Sequence, residues 1–214
     1  MALRANINTE NFLLTIPDEA GVVAWPDIFG NENAVEMEIG AGKGTFLLAA
    51  AEANRNINYL GIEYATAYAA FAADRLRRHD RLNARMVHAE ADWWIRRHVP
   101  DASLAALHIY FPDPWPKVRH HKRRLIQDAF IPTVYRILRP GGQLRLVTDH
   151  AGYFAHMQEV LNKQPMLTES VFDAPRHVRQ AGDTLLTGTN FERKYIAQGR
   201  EFHALAYLKP AAGQ

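Results

Sequence analysis

The stretch that decides the fold is Val35-Glu36-Met37-Glu38-Ile39-Gly40-Ala41-Gly42-Lys43-Gly44. Residues 35–39 form a short, mostly apolar run that ends in glycines, the pattern of a buried strand followed by a tight turn. Residues 44–53 then have helical composition. Working outward, the alternation repeats. Residues 58–63 (NYLGIE), 85–89 and 104–111 (LAALHIYF) read as strands, and residues 64–78 and 93–98 as helices. Residues 124–138 are amphipathic and stop at Pro140-Gly141-Gly142, which predicts a helix followed by a turn. Residues 143–148, 167–172 and 202–208 read as further strands, with helices over 151–162 and near 191–198. Strands alternating with helices imply a mostly parallel sheet covered on both faces, with ligands at the carboxyl ends of the strands.

The glycine loop has the spacing GxGxG, and Glu38 stands just before Gly40, Gly42 and Gly44. A carboxylate there would repel a pyrophosphate but could hold the ammonium of an amino acid. Glu63 ends the second strand and suits the two hydroxyls of a ribose. Glu90 and Ala91 follow the third strand, where an acidic side chain and backbone groups could read an adenine edge. Asp92 competes with Glu90 for that role. Adenosine joined to an amino acid, without phosphate, describes S-adenosylmethionine better than a dinucleotide.

The fourth strand runs into Phe111-Pro112-Asp113-Pro114-Trp115-Pro116-Lys117. Three alternating prolines stiffen this loop and exclude helix. Asp113 offers a carboxylate and Trp115 a flat ring, the ingredients of a base-binding pocket. Lys117, Arg119, Lys122, Arg123 and Arg124 put five cations within eight residues, a set able to neutralise phosphates. At the start of a helix they would oppose its dipole, which favours an anionic partner over simple solvation. Further on, Asp149 precedes a helix as a cap would, and Thr189-Asn190-Phe191-Glu192 has capping-box spacing. Both sites return toward the same sheet edge, so capping and substrate binding can coexist in them.

Composition sets the outer bounds. The 214 residues suffice for one domain, here 1–214 with a lead-in over 1–33, and their 48% apolar and 22% charged content is ordinary for a globular chain. The net charge of +2 hides a division: residues 1–63 hold 3 basic and 9 acidic groups, residues 64–150 hold 15 and 8. A basic middle hints at a polyanion. The absence of Cys excludes disulfides, thiolate zinc sites and a Cys nucleophile, and no metal site is expected. No apolar run approaches the roughly 18–20 residues of a membrane span, and the N-terminus lacks a signal-peptide core, so a cytoplasmic protein is expected.

Together EIGAGKG at 38–44, GIE at 61–63, FPDPWPKVRHHKRRL at 111–125, TDH at 148–150 and TNFERKY at 189–195 resemble the bacterial tRNA (guanine-N7-)-methyltransferases. The resemblance covers about residues 34–208, and the basic PDPW segment is its most specific mark. It implies a class I methyltransferase (Rossmann-like) three-layer α/β fold, with seven strands and the last antiparallel. It implies 7-methylguanosine in the tRNA variable loop as product and S-adenosylmethionine as cofactor. Glu38, Glu63, Glu90 and Asp113 match the family's cofactor positions, and Asp113 its catalytic carboxylate. Lys117, Asp149 and the segment from Thr189 to Glu192 match its tRNA positions. The chain departs from the family in a short acidic lead-in, and in Glu90, where members usually carry Asp or Asn. Trp115, Arg119, Lys122, Arg123 and Arg124 complete the expected substrate side, with tRNA as partner and a monomer or homodimer as the working form. Two other readings remain: an amino-group methyltransferase, whose (N/D)PP(Y/F/W) loop the DPW sequence resembles, and a non-catalytic RNA-binding protein on the same fold.

Overall fold

In the computed structural model, which describes residues 6–180 and 185–211, Val35, Met37 and Ile39 point to one side of a sheet and Glu36 and Glu38 to the other. This is the period-two alternation of a strand, β2 (Ala34–Ile39), at the middle of the sheet. Around it lie β1 (Leu13–Leu14), β3 (Ile57–Glu63), β4 (Ala84–His88), β5 (Leu104–Tyr110), β6 (Leu138–Thr148), β7 (Thr168–Ser170) and β8 (His203–Leu208). Their order across the sheet is β1-β4-β3-β2-β5-β6-β8-β7. Pairing is parallel from β1 to β6, and β8 runs antiparallel to both its neighbours.

The expected antiparallel last strand is therefore present, but the sheet has eight strands rather than seven. The extra strand is β1, whose Leu13 and Leu14 pair with Met86 and Val87 at the outer edge. Two residues carry no readable alternation, so the lead-in gave no strand signal.

Helices cover both faces. On one side, α4 (Ala91–His98), α5 (Ile131–Ile137) and α6 (Ala151–Asn162) pack Trp94, Ile95, Val134, Tyr153 and Met157 onto Met37, Leu60, Leu107 and Leu146. Full burial of one such side chain contributes about 1.5–3 kcal/mol. On the other side, α2 (Thr45–Ala53) and α3 (Thr66–Arg78) place Phe46, Leu47, Ala72 and Leu76 over Tyr59, Met86 and Tyr110. Gly61 makes that approach possible: a Cβ there would stand 2.4 Å from Leu47 Cδ1 and 2.7 Å from Met86 Sδ. Three short helices, α1 (Trp25–Phe29), α7 (Arg176–Gln180) and α8 (Asn190–Ile196), complete the fold.

The long helix expected over 124–138 is not formed. Residues Val118–Arg123 make a 3-10 helix, and α-helix begins only at Ile131, with Pro132 in its first turn. Between them the backbone is taken by tertiary bonds: Ile126 N–H donates to the Tyr153 hydroxyl at 3.2 Å, and Ile126 C=O lies 2.9 Å from His156 Nε2. The basic run thus sits on a 3-10 helix rather than at an α-helix N-terminus, so no α-helix dipole opposes it. Among the described residues no helix is long and apolar enough to cross a membrane, and no three His, Asp or Glu side chains gather as metal ligands would.

Candidate active site

The glycine loop leaves β2 with Gly40, Gly42 and Gly44 all at positive φ (76°, 54° and 66°). L side chains rarely adopt that backbone, which is why the loop needs glycine at these positions. The loop is fastened to the next strand. Gly42 N–H donates to Glu63 Oε2 at 2.8 Å, and Ala65 N–H donates to Glu63 Oε1 at 2.8 Å. Each carboxylate oxygen keeps a lone pair for a further donor.

Glu38 is 4% exposed, and its Oε2 is buried without any hydrogen-bond partner. Burial, reinforced by the Glu63 carboxylate, pushes the Glu38 acid up to about 8. An unsatisfied buried carboxyl is costly. It lines a chamber of about 220 Å³ with Gly40, Gly42, Lys43, Tyr110, Thr189 and Phe191. That chamber shares Gly40, Gly42, Tyr68, Tyr110 and Phe191 with a wider cleft of about 630 Å³. The cleft also holds Glu63, Glu90, Ala91, Asp113, Trp115 and Arg123.

Glu90 caps α4: its carboxylate accepts from Asp92 N–H at 3.2 Å and Trp93 N–H at 2.8 Å. Asp92 instead pairs with Arg96 at 2.8 Å, so Glu90 is the carboxylate that faces the cleft.

The PDPW segment departs from β5 through two strained residues, Phe111 at φ 53° and Trp115 at φ 42°. Bulky side chains at positive φ cost energy and cluster where a loop must hold a fixed shape. Phe111 N–H donates to Val147 C=O at 2.7 Å, and Arg124 Nε donates to Pro114 C=O at 2.9 Å. Arg124 is 5% exposed and lies 4.9 Å above the Tyr153 ring. The structure turns this residue inward, away from the phosphate-gripping role expected of it, because it satisfies the loop from behind. Arg123 remains exposed and covers the Trp115 ring at 5.0 Å, while His120 meets the ring edge-on. Lys117, Arg119 and Lys122 are exposed beyond the cleft and do not line it.

The C-terminal sites divide. His150, not Asp149, caps α6, its Nδ1 accepting from Tyr153 N–H at 3.1 Å. Asp149 pairs with Arg200, which stacks 4.3 Å over Tyr195. Thr189 caps α8 by accepting from Glu192 N–H at 3.2 Å, half of a capping box. The reciprocal half is missing. The buried Glu192 carboxylate instead accepts from the N–H groups of Leu186, Thr187 and Gly188 and from the Thr187 hydroxyl. Thr189 lines the small chamber; Glu192 shapes the loop beside it. Sequence reasoning missed Tyr110 and Tyr68; Phe191, inside the expected segment from Thr189 to Glu192, lines both cavities. Tyr110 carried one usable signal, its place at the end of β5 directly before the proline segment.

Known proteins resemble this chain in sequence and in fold. A family model described as "Putative methyltransferase" matches residues 32–205. A tRNA (guanine-N(7)-)-methyltransferase of Rhodopirellula baltica is 34% identical over 95% of this chain and 76% of its own length. One of Geobacter metallireducens is 33% identical over 92% of each chain. Among solved structures, an "Antibiotic Related Methyltransferase" superposes with a TM-score of 0.60 at 16% identity, covering 94% of this chain and 98% of the other. The aminoglycoside resistance methyltransferase NpmB1 gives 0.58 at 13% identity over 92% and 95%. At those identities the structures speak for the fold alone. On the sequence matches, the chain belongs to the tRNA (guanine-N7-)-methyltransferase family.

Proposed function

We propose that this protein methylates N7 of a guanosine in the variable loop of tRNA. The cofactor of this enzyme class is S-adenosylmethionine, and the residues present fit it. Glu38, with its unpaired buried oxygen, would hold the ammonium end in the small chamber. Glu63 would take the ribose hydroxyls, and Glu90 with Ala91 the adenine edge, in the wider cleft. When bound, the cofactor supplies an electrophilic methyl on a sulfonium.

The observation that carries the reading is the junction of the two cavities. Gly40, Gly42, Tyr110 and Phe191 belong to both, and Asp113 stands in the larger one on the rigid proline loop. Guanine N7 has a free lone pair on the major-groove edge, so no proton must be removed before attack. The chain's task is positioning and electrostatic support. Asp113 accepts hydrogen bonds from the guanine donor edge and favours the positive charge that grows on the ring. Trp115, backed by Arg123, forms a wall. Lys117, Arg119 and Lys122 meet phosphates outside the cleft, Asp149 reaches the substrate only through its pair with Arg200, and Thr189 lines the small chamber. The whole chain acts as one domain in the cytoplasm, as a monomer or homodimer.

The test is incubation with labelled S-adenosylmethionine and unmodified tRNA, then nucleoside analysis with the site mapped. Label in 7-methylguanosine of the variable loop is the expected result. Label on an exocyclic amino group would favour an amino-group methyltransferase, and no label at all a binding protein; either overturns the proposal.

A further inference from the structure

Under α2 lies a buried polar chain that methyl transfer leaves unused. Strand pairing sets Glu38 on β2 opposite His108 on β5, so Glu36, Glu38, His108 and Tyr110 project to one face. His108 is fully buried. Its Nε2 lies 2.9 Å from Glu36 Oε2 and its Nδ1 2.8 Å from the Tyr110 hydroxyl. The Phe46 ring packs on both aromatic partners, with centroids 4.7 Å from His108 and 5.3 Å from Tyr110.

The protons in this chain are fixed by chemistry. Burial, together with the Arg145 charge, lowers the affinity of His108 for a second proton by more than Glu36 raises it. Burial pushes Glu36 up, but the His108 hydrogen bond, the charge His108 carries at the acid pH where a carboxyl titrates, and the Arg145 and Arg139 charges outweigh it, so the acid is held below its usual range. The ring is therefore neutral and the carboxylate charged. A carboxylate can only accept, so Nε2 carries the hydrogen. Nδ1 then accepts, and the Tyr110 hydroxyl must donate to it. With its hydrogen turned toward His108, the Tyr110 oxygen has only lone pairs left to offer a second partner. Tyr110 lines that chamber beside Glu38 and feels its charge.

We propose that Tyr110 is a further cofactor-binding residue: its oxygen, locked as an acceptor by His108 and Glu36, joins Glu38 in taking the ammonium of the cofactor's amino-acid end. His108 and Glu36 are positioning residues. The inference rests on the reading that the small chamber receives that end. An incoming cation favours the ionised form of Glu38, and two acceptors then suit an ammonium, which only donates, and reject a carboxylate or an unprotonated phosphate, which only accept.

The experiment compares calorimetric affinities for S-adenosylhomocysteine and 5′-methylthioadenosine, which lacks the amino-acid end. Tyr110→Phe should weaken S-adenosylhomocysteine by about 10-fold, the scale of one hydrogen bond to a charged group, and leave 5′-methylthioadenosine unchanged. His108→Leu, which frees the hydroxyl to turn outward, should show the same selective loss, and His108→Asn, which restores an acceptor, should recover it. No loss in Tyr110→Phe, or an equal loss for both ligands, overturns the proposal. Glu38→Gln separates the two failures. If Glu38→Gln alone selectively weakens S-adenosylhomocysteine, the Tyr110 proposal falls and the chamber reading stands; if neither variant does, both fall. The unaltered protein gives a check free of folding defects. An S-adenosylhomocysteine analogue with hydrogen in place of the amino group should bind about 100-fold more weakly than the parent, and equal binding overturns the proposal.

Discussion

The two loops that build the site are held in opposite ways. The glycine loop after β2 is fixed by its own backbone: three residues at positive φ where glycine costs nothing, and one N–H bonded to Glu63. The PDPW segment after β5 is fixed from outside. It bears non-glycine residues at positive φ at both ends, and the buried Arg124 side chain reaches back to Pro114. The difference fits the tasks proposed for the two loops. A cofactor site needs a close backbone and a few acceptors, and a turn supplies them. A carboxylate that must meet a base on a separate molecule needs a fixed stem, and prolines, strain and a guanidinium strut supply one.

That division breaks first at Asp113. Asp113→Asn removes the charge that favours the methylated ring and leaves the glycine loop intact. The single-turnover rate should fall about 100- to 1,000-fold, the scale of losing one preorganised electrostatic contact. Affinity for S-adenosylhomocysteine should change less than about 3-fold, or about 0.65 kcal/mol. Equal losses in both measurements would merge the two loops into one functional unit.

Glu38 tests the other loop through pH. Its acid rises from 4.5 to about 8 on folding, so the folded state keeps a proton that the unfolded chain releases across that window. Stability should therefore decline as pH rises from 4.5 to 8, by up to about 1.4 kcal/mol per pH unit from this group. Glu38→Gln removes the dependence. Its melting temperature should match the parent near pH 4.5, exceed it increasingly up to pH 8, and hold a constant margin beyond. A margin that shrank with rising pH would show that Glu38 is stabilised as a carboxylate without any ligand.

Much of this was legible in the sequence, and the limits have physical reasons. The strands β2, β3 and β5 were readable to within a residue because each is an apolar run bounded by glycine, proline or a charged end. That Glu38, Glu63 and Glu90 gather at one edge was readable because parallel strands bring their carboxyl ends together, so position along each strand is position along that edge. The segment after residue 123 was misread because its periodicity came from tertiary burial: Ile126 and Phe130 are core residues without being on one helix. Arg124 looked like its neighbours Lys122 and Arg123, and no local rule tells an inward cation from an outward one. His108 and Tyr110 share a face of β5 by their spacing, but their link to Glu36 depends on which side chains meet across strands, which spacing within one strand does not contain.

Within the substrate-side segment, the comparison sharpens to two neighbouring cations. Arg124→Met keeps the volume but loses the bond to Pro114 and the stack on Tyr153. It should cost about 2 kcal/mol, a fall of roughly 4–8 °C in melting temperature for a chain of this size. The slope of log affinity for tRNA against log salt should stay as in the parent, because a buried guanidinium releases no counterion. Lys122→Ala should do the reverse. Lys122 is exposed on the 3-10 helix, so stability should be unmoved, affinity should drop only a few-fold, and the salt slope should become shallower by about 0.7–0.9, one phosphate's worth. A shallower slope for Arg124→Met would place that side chain on the nucleic acid after all. An unchanged slope for Lys122→Ala would move the phosphate contacts off this segment and leave its basic charge without a ligand.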